Sequence, residues 1–125
     1  MTKKTARDMK VLIVDDEQLV RWFLERALKR WNFEVVAVSS VEDALKHLNT
    51  EQFDLIFTDL KMPSGNGVLI VNKLNRMEKP PHLIVCSAFI TLEMEEEFKS
   101  KGIQILKKPF KLDELESSLK KLVSL

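Results

Sequence analysis

The sequence predicts one α/β domain in which helices cover both faces of a doubly wound, five-stranded parallel sheet. Short apolar runs alternate five times with longer stretches of helical periodicity along the 125 residues. The composition, with 45% hydrophobic and 31% charged residues, is that of a globular protein. Because right-handed crossovers join parallel strands, all five strands are expected to end at the same edge of the sheet.

The first two repeats give the clearest helix signal. The apolar run Val11–Val14 reads as a buried strand that stops at an acidic pair. A second strand spans Glu34–Val38, and Ser40 offers an N-cap for a helix over Val41–Leu48. Between the two strands, apolar residues recur at intervals of three and four, as on the core face of an amphipathic helix, at Val20, Phe23, Leu24, Ala27, Leu28 and Trp31.

The last three repeats follow the same pattern. The third is a strand over Asp54–Thr58 and a helix over Val68–Met77. The fourth is a strand over His82–Cys86 and a helix over Leu92–Lys101. The fifth is a strand over Ile103–Leu106 and a final helix with one apolar stripe, Leu115, Leu119, Leu122 and Val123.

Charge and cysteine content argue against several classes of protein. Twenty Lys and Arg against nineteen Asp and Glu leave a net charge of +1, which does not suit a nucleic-acid-binding surface. The single Cys86 excludes an intrachain disulfide. No apolar run reaches the roughly 18 residues of a membrane span, and residues 1–9 lack the apolar core of a secretory signal. We expect a cytoplasmic protein with an N-terminal tail over residues 1–9 and one domain over residues 10–125.

Acidic, hydroxyl and basic residues follow the predicted strands at the edge where those strands end. Asp15 and Asp16 follow the first strand, Asp59 the third, Ser87 the fourth and Lys108 the fifth. Ligands of doubly wound sheets bind at this edge. Three carboxylates in one pocket repel each other unless a cation compensates them, and Mg²⁺ prefers oxygen ligands. A carboxylate there can also accept a phosphoryl group as an acyl phosphate.

On these residues the chain resembles the receiver domains of two-component response regulators, from Lys10 to about Val123. The resemblance rests on the segments VLIVDDE, DLIFTDLKMPSGNG and LKKPF and on the pair Ser87 and Ala88, each at the end of its own predicted strand. It implies a flavodoxin-like (βα)5 fold with strand order 2-1-3-4-5. It also implies a phosphoprotein that acts in phosphorelay signal transduction.

The resemblance implies that Asp59 accepts a phosphoryl group from a sensor histidine kinase or a phosphotransfer protein in a Mg²⁺-dependent reaction. Asp16 and Asp59 would bind the metal directly, Asp15 largely through water, and Lys61 through its backbone carbonyl. A hydroxyl that moves toward the phosphoryl group and a lysine that neutralises it would complete the site. The resemblance assigns the moving hydroxyl to Ser87 and the neutralising charge to Lys108.

The same resemblance implies a conformational switch whose only chemistry is self-directed phosphotransfer and autodephosphorylation. The peptide between Lys108 and Pro109 would be cis. Phosphorylation would shift the populations of two states and remodel the face built from the fourth helix, fifth strand and fifth helix, where an effector or output domain is regulated. The sequence leaves open whether the receiver stands alone or precedes a transcriptional output domain.

Four positions bear on how this receiver would differ from others. Ile105 stands where the family often has an aromatic residue that swings inward. We expect the bulky Phe89, two residues after the switch hydroxyl, to screen attacking water and lengthen the life of the phosphoryl group. Leu19 and Trp22 fall off the core stripe of the first helix, which predicts either a docking face for the kinase or partial burial under the last helix.

Other interpretations are weaker. The aspartates could cap helices, which does not explain a lysine at the same edge. A haloacid-dehalogenase-like phosphatase needs a second Asp two positions after its nucleophile, where this chain has Lys61. A flavodoxin needs a hydroxyl-rich loop after the first strand, where this chain has three acidic residues. The complete set of acids argues against a receiver that works only as an unphosphorylated binding module.

Overall fold

The computed structural model describes residues 4–62 and 65–125, and in this part of the chain five strands form one sheet. All neighbouring strands pair in parallel. Their spatial order is β2-β1-β3-β4-β5, which confirms the predicted order 2-1-3-4-5. The strands are β1 (Lys10–Val14), β2 (Glu34–Val38), β3 (Leu55–Thr58), β4 (His82–Ser87) and β5 (Gln104–Lys107).

Five α-helices connect and follow these strands: α1 (Gln18–Arg30), α2 (Val41–Thr50), α3 (Val68–Asn75), α4 (Leu92–Ser100) and α5 (Leu112–Lys120). Each predicted helix is present, and the differences lie at the ends. Ser40 caps α2 as predicted, because its hydroxyl accepts a hydrogen bond from the amide of Asp43 at 3.1 Å. Helix α3 ends before Met77 because the amides of Arg76 and Met77 turn to the carbonyls three residues back.

Strand residues alternate between two cores on opposite faces of the sheet, as the pleat requires. In β1, Val11 and Ile13 face the core shared with α1 and α5, while Leu12 and Val14 face the other core. The second core is shared with α2, α3 and α4, and Ile105 packs against it. Because both faces of the sheet are covered, the strands are continuous apolar runs.

The predicted core stripe of α1 is narrower in the structure. Leu24, Ala27 and Leu28 are buried, as expected. Phe23 is 38% exposed and packs edge to face on Phe110, with ring centroids 5.7 Å apart. Phe23 therefore lies at the rim of the core rather than inside it.

The described part of the N-terminal segment packs onto the end of the domain. Residues Ala6–Asp8 form a 3₁₀ turn, and Ala6 and Met9 are buried in the core. Thr5 pairs in parallel with Ser124, and the amide of Ser124 donates to the carbonyl of Lys4 at 2.9 Å. The segment assigned to a tail is thus attached to the domain from Lys4 onward. Within the described residues, none of the helices has the length and apolar character needed to cross a bilayer.

A two-stranded antiparallel ribbon, Lys61–Met62 with Gly65–Asn66, follows β3. It lies between β3 and α3, directly after Asp59. At the same edge, β4 extends to Ser87, one residue beyond its predicted end, and the amide of Lys108 donates to the Ser87 carbonyl at 3.0 Å. The sheet register therefore brings together the residues that follow β3, β4 and β5.

Candidate functional site

Asp59 lies directly after the central strand β3 and is 6% exposed. Its amide donates to the carbonyl of Val14 at 3.1 Å, which continues the pairing of β1 with β3 by one residue. Its carboxylate has two donors on opposite sides. Oδ1 accepts from the amide of Lys61 at 3.2 Å, and Oδ2 accepts from Nζ of Lys108 at 2.7 Å. The carboxylate is therefore held in one orientation.

Asp15 lies directly after β1 and is 2% exposed. Its Oδ1 accepts from the amide of Glu17 at 2.9 Å, and its backbone carbonyl accepts from Nη1 of Arg21 at 2.7 Å. These two bonds tie the loop between β1 and α1 to its own helix. They fix the position from which the Asp15 carboxylate enters the pocket.

Lys108 brings a positive charge to these acids from the end of β5. Its side chain is 9% exposed, and Nζ lies 2.7 Å from Asp59 Oδ2, 2.7 Å from Asp15 Oδ2 and 2.8 Å from Glu17 Oε1. The peptide between Lys108 and Pro109 is cis, which confirms the expectation. One ammonium group thus faces three carboxylates.

Burial and charge act against each other at this pocket. Burial raises the pKa of the Asp15 carboxyl, although the nearby Lys108 ammonium lowers it. Burial by itself would lower the pKa of Lys108, but its hydrogen bonds to Asp15, Asp59 and Glu17 outweigh burial and raise that pKa. Lys108 therefore stays charged throughout the physiological range, whereas ionisation of Asp15 costs free energy.

Ser87 ends β4 beside the backbone of Lys108, and Phe89 follows two residues later. Ser87 is 1% exposed, and its hydroxyl oxygen accepts a hydrogen bond from the amide of Phe89 at 3.3 Å. The Phe89 ring is 67% exposed, and the Nζ of Lys61 lies 5.3 Å from its centroid, within the range of a cation–π contact. The residue two positions after Asp59 and the residue two positions after Ser87 therefore contact each other in space.

Gly67 supports Asp59 from the start of α3. A Cβ built on Gly67 would lie 2.0 Å from the carbonyl oxygen of Asp59, so no side chain fits there without movement of the backbone. The amide of Gly67 also donates to the carbonyl of Leu60 at 2.9 Å. In the sequence this glycine is only the last residue of the segment DLIFTDLKMPSGNG. Its close contact with the backbone of Asp59 is a tertiary feature.

The acids of the pocket suit a hard divalent cation. Oδ2 of Asp15 is buried, and its close partner among the described residues is the ammonium of Lys108 at 2.7 Å. One carboxylate oxygen each from Asp15, Glu17 and Asp59 lie within 4.8 Å of one another. Such oxygens are the ligands that Mg²⁺ prefers, so the residues present fit the ion.

The structure brings together Asp15, Asp59 and Lys108 as the sequence predicted. It adds Glu17, which sequence reasoning missed, and Asp16 is not among the three grouped carboxylates. The metal-binding roles of Asp16 and of the Lys61 carbonyl stay predictions. The signal for Glu17 was present as a third acid in the DDE run, but a single sequence does not show which acid points into the pocket.

Comparisons with known proteins agree with this geometry. The sequence model of the family described as the response regulator receiver domain matches residues 11–120. The chain is 34% identical to the sensory transduction protein LytR of Staphylococcus haemolyticus over 115 residues, which cover 90% of this chain and 44% of that protein. It is 28% identical to sporulation initiation phosphotransferase F of Bacillus subtilis over 117 residues, which cover 93% of this chain and 94% of that protein.

Solved structures show the same fold. The chemotaxis response regulator CheY4 of Vibrio cholerae superposes with a TM-score of 0.81 at 26% identity, covering 92% of this chain and 98% of that chain. The receiver domain of the Francisella response regulator 1452 also gives a TM-score of 0.81, at 27% identity, over 92% of this chain and 96% of that chain. The chain therefore belongs to the response regulator receiver domain family. It is a signalling domain of two-component systems and not a classical enzyme.

Proposed function

We propose that Asp59 accepts a phosphoryl group from the phosphohistidine of a sensor histidine kinase or a phosphotransfer protein. A carboxylate oxygen of Asp59 forms a bond to phosphorus, the bond between phosphorus and the imidazole nitrogen breaks, and the imidazole takes a proton. The product is an acyl phosphate on Asp59. The observation that carries the proposal is the buried contact of Lys108 with Asp59 and Asp15, each at 2.7 Å.

Each residue of the pocket has a part in this transfer. Asp15, Asp16, Asp59 and the Lys61 carbonyl would hold Mg²⁺, which when bound supplies positive charge for the transferring oxygens. Lys108 supplies a second positive charge at the oxygen that reacts. The hydroxyl of Ser87, already held by a backbone amide, would turn to donate to the phosphoryl group.

The test is the intact mass of the protein after incubation with acetyl phosphate and Mg²⁺. We expect the wild type to gain the mass of one phosphoryl group and Asp59→Asn to gain none. EDTA should abolish the gain in the wild type. A phosphoryl group that remains on Asp59→Asn would place the acceptor elsewhere and contradict the proposal.

We further propose that Phe89 and Lys61 lengthen the life of this phosphoryl group, because their contact would hold both side chains where they screen the acceptor from water. We expect Phe89→Glu to hydrolyse several-fold faster than the wild type. The decay of phosphorylated protein after removal of the donor measures this, with Lys61→Met as the variant that removes the cation and keeps a side chain of similar length. Equal decay rates in all three proteins would contradict the proposal.

The kinase is proposed to dock on the exposed side of α1. Leu19 is 75% exposed and Trp22 is 54% exposed, and both lie on the helix that begins at the pocket. Trp22 also lines a groove with Leu112 and Glu116 of α5, so it is partly covered. We expect Trp22→Ala to slow phosphotransfer from the kinase and to leave phosphorylation by acetyl phosphate unchanged. An equal loss with both donors would argue against docking.

Phosphorylation is proposed to act on the face formed by α4, β5 and α5, in a cytoplasmic protein. The chain spans less than half the length of LytR and of the LytT of Bacillus subtilis, at 44% and 47% of those proteins. A regulated output domain or separate effector is therefore part of the proposal. Ile105 packs on the α4 side of the sheet, where a change at Ser87 at the end of the neighbouring strand reaches it through shared strand pairing.

A further inference from the structure

Glu17 occupies the N-cap position of α1 but does not cap the helix. N-cap side chains usually accept hydrogen bonds from the first turn, and no such bond is made here. The Glu17 carboxylate instead contacts the residue that follows β5, since its Oε1 accepts a hydrogen bond from Nζ of Lys108 at 2.8 Å. Its side chain is 57% exposed, whereas those of its neighbours Asp15 and Asp59 are buried. Glu17 is thus the outermost partner of Lys108.

The charge of the cluster depends on this residue. Asp15, Glu17 and Asp59 supply three negative charges against the single positive charge of Lys108. A divalent cation at the inner carboxylates adds two positive charges. Removing the charge of Glu17 makes the cluster one unit more positive, with or without the cation. An incoming phosphoryl dianion would therefore be attracted more strongly if Glu17 were neutral.

The hydrogen bond has a second consequence, which concerns the availability of Lys108. The ammonium has three donors, and all three of its close neighbours are carboxylates. A phosphoryl oxygen must therefore displace a carboxylate before Lys108 can bind it. Glu17 contacts the Lys108 ammonium from the solvent-exposed side of the pocket, and an incoming phosphodonor approaches from the same side.

We propose that Glu17 is a positioning residue that retains Lys108 and excludes free, doubly anionic phosphodonors, so that it lowers the rate at which small-molecule phosphates modify Asp59. This inference rests on the proposed phosphoacceptor function. It concerns which phosphodonors the same pocket accepts. A small dianion is disfavoured. A docked protein holds its phosphoryl group in place, so transfer from it depends less on electrostatic attraction.

The alternative role for Glu17 is that of a direct metal ligand, since its carboxylate lies within reach of the other two. The two roles predict opposite changes in rate when the metal is saturating. Loss of a ligand slows transfer, whereas loss of the competing charge accelerates it. Glu17→Gln keeps the shape of the side chain and removes only the charge, so it separates the two roles.

The experiment compares wild type, Glu17→Gln and the control Glu25→Gln at saturating Mg²⁺. Glu25 lies on the same helix and pairs with Lys29 at 3.5 Å, so its variant has the same net charge change away from the pocket. Initial rates are measured by intact mass with acetyl phosphate, a dianion, and with phosphoramidate, which carries less negative charge. We expect Glu17→Gln to react roughly five-fold faster with acetyl phosphate, with a smaller gain for phosphoramidate and no gain in Glu25→Gln.

A merely structural role of Glu17 would change the rates with both donors by the same factor, so the ratio of the two rates is the decisive readout. Unchanged or slower reaction of Glu17→Gln with acetyl phosphate would overturn the inference. If the wild type takes up no phosphoryl group from either donor, the proposed function fails and the inference fails with it. If the wild type is modified on Asp59 but the ratio is unmoved, only the inference fails.

Discussion

Two lysines at opposite edges of the sheet both pair with carboxylates, but in different surroundings. Lys10 begins β1, and its Nζ forms an ion pair with Glu51, lies 3.5 Å from Glu34 and lies 5.1 Å from the centroid of the Phe53 ring. Lys108 follows β5 and is surrounded by carboxylates at the other edge. The Lys10 side chain is 26% exposed and that of Lys108 only 9%.

The two edges differ in the exposure of their carboxylates and in the partners that those carboxylates have. Around Lys10, Glu51 also bonds His47 at 2.5 Å, and the Glu34 side chain is 69% exposed. At the edge of Lys108, three carboxylates share one ammonium group, and the buried Oδ2 of Asp15 lies 2.7 Å from it. A charge cluster that is exposed to solvent is structural. A buried cluster with an excess of negative charge is suited to bind a cation.

The largest effect should come from removing each lysine. We expect Lys108→Met to slow phosphorylation by acetyl phosphate roughly 100-fold, the usual loss when one electrostatic stabiliser of a transferring group is removed. Lys10→Met should leave that rate unchanged. Intact-mass time courses at saturating Mg²⁺ measure both variants. A comparable loss in the two would mean that the two edges are not functionally distinct.

The next effect concerns stabilisation by the metal. At a Mg²⁺ concentration 100 times its Kd, a bound ion should raise the free energy of unfolding by about 2.7 kcal/mol. Asp15→Asn should lose most of this gain, and Glu51→Gln at the opposite edge should keep it. Thermal unfolding with Mg²⁺ and with EDTA provides the measurement. If Glu51→Gln lost the gain as well, the ion would not be specific to the acidic pocket.

A smaller effect distinguishes two glycines near the two edges. Gly67→Ala forces the backbone of Asp59 to move, which should cost about 1–3 kcal/mol and also slow phosphorylation. Gly102 precedes β5, has a φ of +74° and has open space around it, so Gly102→Ala should cost about 1 kcal/mol of backbone strain. Urea unfolding combined with the acetyl phosphate assay tests the pair. The comparison fails if Gly102→Ala also slows phosphorylation.

The smallest effect concerns how the free energy of unfolding depends on pH when no metal is bound. The pKa of Asp15 is raised by burial, so its ionisation destabilises the fold, and the cost disappears as pH falls through that raised pKa. The pKa of Glu51 is lowered, first by its hydrogen bond to Lys10 and then by His47, so its contribution is present above the ordinary value of 4.5 and is lost as pH falls through the lowered pKa.

Urea midpoints from neutral to acid pH in EDTA measure this difference. Asp15→Asn should be more stable than the wild type at neutral pH, with a difference that vanishes in acid. Glu51→Gln should be less stable at neutral pH, and that difference should also vanish in acid. A destabilised Asp15→Asn at neutral pH would show that its contact with Lys108 outweighs burial.

Much of the fold followed from local pattern. The alternation within β1 and the spacing along α1 placed most of the core residues, because burial on both faces of a sheet and on one stripe of a helix leaves a periodic trace in sequence. The positions of Asp59 and Lys108 followed from the rule that parallel strands end at one edge. The pattern overestimated the burial of Phe23, which stands at the rim where α1 meets the loop after β5.

The sequence by itself determined the five strand and helix repeats, the identity of the aspartates at the strand ends and the cation that opposes them, and the family resemblance added the strand order. Only the tertiary structure decided that Glu17 reaches Lys108, that Gly67 lies against the Asp59 backbone and that residues before β1 pair with Ser124. The physical reason is the range of the interactions. Periodic burial is set by residues a few positions apart, whereas these contacts depend on side-chain direction and on distances between segments that are remote in the chain.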